Sequence, residues 1–154
     1  ALPILKQASE FAGTVPVRHL LPYWKTSNRY LFSGGSVNMR DAAVYAKEEN
    51  WSKAVELWKQ TYETKKGKQK MYAAYNTALG YEMQDSIDTA LEWALKAQTL
   101  AREKSKTDKK ETGEIHDGTI SYYIFISMYV DELEKRKEGM ARLNMQMNRF
   151  DDDF

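Results

Sequence analysis

Residues 42–98 state nearly the same pattern twice, and that repetition limits what this chain folds into more than any other feature. Shifted by thirty-six residues, Ala42 falls on Ala78, Ala43 on Leu79, Tyr45 on Tyr81, Trp51 on Ile87, Ala54 on Ala90, Leu57 on Trp93 and Trp58 on Ala94. Each copy reads as two amphipathic helices joined by a short polar turn. A repeat of this period predicts a stack of helical hairpins, each unit burying its apolar face against the next. Such stacks serve mainly as surfaces that hold a partner.

Composition narrows the function classes further. A chain of 154 residues makes one domain, or one domain and a fragment of another, and its 42% apolar content suffices for a core. The formal net charge of +1 provides no global field to gather nucleic acid or an anionic membrane. Cysteine is absent, which removes disulfides, thiolate metal sites and Cys nucleophiles together. No apolar run approaches the roughly 18–20 residues of a membrane-spanning helix. No signal-peptide pattern is legible, and the opening Ala1 in place of Met suggests processing or excision from a longer precursor.

Read in order, residues 1–12 carry apolar positions at helical spacing, with Gly13 as a stop signal. The stretch 14–32 favours extended backbone through Val15, Val17 and its pre-proline positions, and Tyr30, Leu31 and Phe32 suit a short strand or a buried loop. The Ser33-Gly34-Gly35-Ser36 run gives the best boundary. Residues 1–35 are therefore either a cap on the helices or the end of an upstream domain, and Pro16 and Pro22 favour the second. Residues 36–150 are expected as the helical domain, and 151–154 as a frayed tail. Helices are expected over 38–48, 51–65, 68–83 and 87–104, with Ser36 or Asn38 capping the first and Gly67 ending the second. A polar loop is expected over 105–113, then a long helix over 117–148, capped by Asp117.

Residues 38–104 resemble two tetratricopeptide repeats. The first copy supplies Ala42, Tyr45, Trp51, Ala54 and Trp58; the second supplies Ala78, Gly80, Tyr81, Ile87, Ala90, Ala94 and Ala97. Small residues let helix axes approach, and large ones fill the space beside them. The period is two residues longer than that family's, and the proline that normally ends the second helix is absent. The resemblance implies an all-α fold: antiparallel helical hairpins stacked as a short, right-handed array, capped by the long C-terminal helix. A fainter likeness rests on Pro22, Trp24, Arg29-Tyr30, Asn50-Trp51, Ala54, Trp58, Leu143-Asn144 and Gln146. On these residues the chain is similar to uncharacterised Bacteroidetes cell-envelope proteins, which implies an extracytoplasmic setting and an upstream domain of the same precursor.

In tetratricopeptide arrays the first helix of each pair lines a concave groove. Transferred here, that geometry implies a partner-binding groove of Met39, Arg40, Ala43 and Lys47, then Tyr72, Tyr75, Asn76, Leu79 and Glu82. Tyr72, Tyr75 and Asn76 would hydrogen-bond a peptide backbone or stack on a sugar, unless the last helix folds over them and makes them core. Asn76 suits a clamp for a peptide carboxylate, but Met39 and Ala43 stand where such a clamp needs Lys and Asn. The basic turn 65–70 lacks interleaved aromatics and reads as solvated. His116-Asp117 lacks further ligands at metal spacing, and no catalytic motif is present. The expectation is a non-catalytic interaction or scaffolding domain with a protein or peptide partner, no nucleic acid, no metal and no cofactor. The alternative is extracellular glycan or small-ligand binding through exposed Tyr and Trp.

Overall fold

The computed structural model describes residues 11–20, 23–112 and 122–152. Two strands come first, β1 (Phe11–Leu20) and β2 (Trp24–Phe32). Five helices follow among the described residues: α1 (Val37–Lys47), α2 (Trp51–Thr64), α3 (Lys68–Met83), α4 (Ile87–Thr112) and α5 (Tyr122–Asp152). The fold is therefore mostly helical, with a small antiparallel sheet that an all-α expectation left out. Each helix packs chiefly on its neighbours in sequence, and β2 reaches α1 and α3. No described helix is long and apolar enough to cross a membrane.

The repeat is written into the backbone. Glu49 and Asp85, thirty-six residues apart, are the two non-glycine residues with positive φ among the described residues, at 61° and 59°. In the first copy Asn50 N–H donates to Tyr45 C=O at 2.8 Å and Glu49 N–H to Ala46 C=O at 3.0 Å. In the second, Ser86 donates to Tyr81 at 2.9 Å and Asp85 to Glu82 at 3.0 Å. Both are the six-to-one and five-to-two bonds of a Schellman ending, with a left-handed residue where glycine is usual. Glu49→Gly relieves that conformation and should stabilise the chain by about 0.5–1 kcal/mol in urea unfolding. Asp85→Gly should gain less, since Asp85 also lies 3.8 Å from Arg136.

The small residues of the repeat sit at the helix contacts. Ala42, Ala54, Ala78 and Ala90 are all fully buried, and so are Ala94 and Ala97 on α4. Trp58 is fully buried beside Trp51, as their place in the repeat implies, with ring centroids 6.5 Å apart. Gly80 lies where α3 packs closely on α2. A Cβ there would overlap the Val55 side chain and lie 3.2 Å from Trp58 Cζ3. Gly80→Ala should therefore cost about 1–2 kcal/mol, because overpacking outweighs the ~1 kcal/mol that alanine gains in a helix interior.

Several boundaries differ from expectation. Residues 11–12, expected in a helix, belong to β1, and Gly13 (φ 112°) sits where the β1–β2 register shifts between Phe11 and Thr14. Gly67 (φ 66°) lies at the N-terminus of α3, and α2 ends earlier, at Thr64. Of the two proposed caps, Ser36 serves α1: its hydroxyl accepts from Met39 N–H. The loop expected from residue 105 is helix through Thr112. No glycine or proline interrupts the run before Gly113, so polarity alone does not end the helix. Likewise α5 continues past the expected end at residue 148 to Asp152, into the tail expected as frayed from residue 151. The helix expected over residues 1–10 and the cap at Asp117 lie outside the described residues.

Candidate interaction groove

The face of α3 expected to line a groove is a receiving surface, and the chain's own β2 occupies it. Asn76 holds both polar groups of one peptide unit's residue: Phe32 N–H donates to Asn76 Oδ1 at 3.1 Å, and Asn76 Nδ2 donates to Phe32 C=O at 2.6 Å. Two residues earlier on β2, the Tyr30 C=O accepts from the Tyr75 hydroxyl at 2.8 Å. The Phe32 ring stacks on Tyr72 at 4.2 Å and 13°, and meets Tyr75 edge-on at 5.1 Å. Tyr122 and Phe125 of α5 close the other side of that ring, at 6.0 Å and 6.2 Å. Tyr72 and Tyr122 join their hydroxyls at 2.9 Å.

Deeper along α3 lies an ionic centre. The Glu82 side chain is fully buried and accepts four hydrogen bonds. Arg29 of β2 donates through Nε at 3.1 Å and Nη2 at 3.3 Å, Arg136 of α5 through Nη1 at 2.7 Å, and the Tyr129 hydroxyl at 3.0 Å. Burial by itself pushes the Glu82 carboxyl up; the hydrogen bonds and charges of Arg29, then of Arg136, outweigh it and hold the carboxyl below its ordinary range. Burial also pushes the Tyr129 and Tyr75 hydroxyls well up, so both stay protonated donors. His19 is buried on β1, and burial followed by the charge of Arg136 and Arg29 lowers its pKa. Among the described residues its Nδ1 has no hydrogen-bond partner.

This arrangement decides the fate of the expected site residues. Met39, Tyr72, Tyr75, Asn76 and Glu82 are all buried, so they are core, and the open groove is filled from one side by β2 and from the other by α5. The same holds for Leu79, whereas Ala43 is half-buried. Arg40 and Lys47 are exposed on α1, away from that contact. What sequence reasoning missed was Arg29, Arg136 and Phe32. One signal was available: residues 71–81 of α3 carry no charge, and every residue over 71–80 is buried. A helix without a polar face is covered on all sides. A shallow depression of about 560 Å³ lies elsewhere, along α2, lined by Asn38, Glu56, Lys59, Gln60, Glu63 and Thr64. Among the described residues no three of His, Cys, Asp and Glu converge as a metal site would require.

Fold and groove together define a mostly helical domain, with a small antiparallel sheet, whose α3 grips an extended strand. Residues 40–135, from the first turn of α1 to the middle of α5, match a domain of unknown function, DUF6340. The chain belongs to that family. No curated protein and no solved structure matches it.

Proposed function

We propose that this chain is a non-catalytic scaffold of the tetratricopeptide type, a short right-handed array that holds a protein partner or an adjoining domain. The observation that carries the proposal is the recognition of backbone by α3. Asn76 and Tyr75 bind peptide groups of β2 and not only its side chains, which is how a helical groove takes an extended segment. The repeated Schellman turns and the small residues at equivalent contacts support the array geometry.

With the groove filled in cis, partner contact falls to the outer face of α1, which is exposed among the described residues. Val37 and Val44 stand 60% and 56% exposed there, one heptad apart, with Arg40 and Lys47 beside them. A photo-crosslinking residue at Val44, expressed in the native host, should give a discrete protein adduct, while one at exposed Glu92 of α4 should not. No adduct from Val44, or the same adducts from both positions, would sink the proposal.

Glycan binding finds less support. A sugar stacks on a bare aromatic face, but Arg18 lies over Trp24 at 4.6 Å and Lys96 over Trp93 at 4.1 Å.

A further inference from the structure

The register of β1 on β2 sorts the hairpin into two faces. Val17 and His19 are buried on one; Arg18 and Leu20, with their cross-strand partners Thr26 and Trp24, stand exposed on the other. Burial also falls along β2. Phe32, Leu31 and Arg29 are buried against the helices, whereas Tyr23, Trp24, Lys25 and Thr26 are all exposed. The end of the hairpin where Leu20 pairs with Trp24 therefore gathers three large apolar side chains in contact with solvent. Leu20, Tyr23 and Trp24 are 40%, 65% and 57% exposed.

Charge at that end has one sign. Arg18 and Lys25 flank the three side chains, and no Asp or Glu occurs over residues 11–40. Among the described residues neither Arg18 nor Lys25 forms an ion pair. The Arg18 guanidinium lies over the Trp24 ring at 4.6 Å. A cation held there keeps its N–H donors available for phosphate oxygens while the ring stays apolar below it.

We propose that this end of the hairpin docks on the surface of an anionic phospholipid bilayer, with Leu20, Tyr23 and Trp24 in the headgroup boundary and Arg18 and Lys25 on the phosphates. Trp and Tyr beside Leu, flanked by Arg and Lys, is the composition that settles at a membrane interface, where an apolar ring body and a polar tip are both satisfied. A stable protein interface takes roughly 800 Å² from each partner, and three part-exposed side chains offer less. A bilayer sets no such threshold, because binding grows with whatever apolar area enters it and with each added basic contact. The docking is peripheral, since no described helix is long and apolar enough to cross a membrane. With a net charge of +1 the whole chain adds no long-range pull, so the attraction acts within a Debye length, about 8 Å at physiological salt.

Vesicle flotation with the full chain tests this. Vesicles of equal parts phosphatidylcholine and phosphatidylglycerol should carry the protein, and vesicles of phosphatidylcholine alone should carry far less. Trp24→Ala should weaken that binding about tenfold, and Arg18→Gln with Lys25→Gln on the order of tenfold, both with an unchanged helical far-ultraviolet signal. Lipids with brominated acyl chains should quench the tryptophan fluorescence of the wild type. The quench should vanish in Trp24→Phe, which still binds, because Trp51 and Trp58 are buried and Trp93 is half-buried beneath Lys96. No binding to either vesicle would overturn the proposal and leave the hairpin end to a protein partner. Equal binding to both vesicles would overturn the role of the lipid charge. Undiminished binding by Trp24→Ala, or a quench that persists in Trp24→Phe, would overturn it by showing that another surface meets the lipid.

Discussion

Replacing Glu82 with Gln should cost about 3–5 kcal/mol in denaturant unfolding, among the largest losses available to a single polar substitution in this chain. The carboxylate is the buried counter-charge shared by two buried guanidinium groups, and its oxygens accept four bonds from β2 and α5. Gln keeps the shape but takes the buried counter-charge from both guanidinium groups, leaving Arg136 only the exposed Asp85 at 3.8 Å, and it turns an N–H₂ toward donors. The cost is that of stranding charges, more than the net worth of the cluster. Replacing all three residues together, as Arg29→Met, Glu82→Leu and Arg136→Met, should therefore lose far less than the single change. The pH dependence has a definite sign. Because the folded state holds the Glu82 carboxyl below its ordinary 4.5, its contribution is complete above that value and fades as pH falls through the lower, folded one. The gap between wild type and Glu82→Gln should thus narrow below about pH 4.5. His19, also lowered, acts in the same direction from 6.5 downward, so mild acid should begin to destabilise wild type before Glu82 titrates.

Phe32→Ala should cost a similar amount, about 3–5 kcal/mol, for a different reason. The ring is fully buried and touches Tyr72 and Tyr75 of α3 as well as Tyr122 and Phe125 of α5. Its loss leaves a cavity that three separate elements would have to close. The backbone bonds to Asn76 survive the change, so the variant should keep its helical far-ultraviolet signal while its unfolding midpoint drops. A loss under about 1 kcal/mol would mean that the strand rests on the helices without organising them.

How much of this was legible in the sequence depends on the range of the contact. The repeat, the extent of α3 and the burial of Trp51 and Trp58 follow from spacing, because a helix face is a local property. The extended nature of residues 30–32 follows from residue type. The pairing of Arg29 with Glu82 spans fifty-three residues, and nothing near either position announces the other. Asn76 shows the same limit. An amide on a helix serves equally well for a foreign carboxylate or for the backbone of Phe32, and only the fold brings Phe32 there. Tyr72 and Tyr75 were ambiguous for the same cause, since a large aromatic with a polar tip suits a groove and a core alike. The extra helix at 105–112 misled because polarity was read as a loop.

The central claim is that β2 is an integral strand seated in the α3 groove, and native-state hydrogen exchange at one amide tests it most directly. Phe32 N–H is bonded to Asn76 Oδ1 inside the core and has no route to solvent while the strand is seated. The account predicts that this amide exchanges only through global unfolding, with the same opening free energy as the core amides of α3. Exchange at Phe32 orders of magnitude faster than in α3 would show a strand that leaves the groove while the helices stay folded, and would contradict the account.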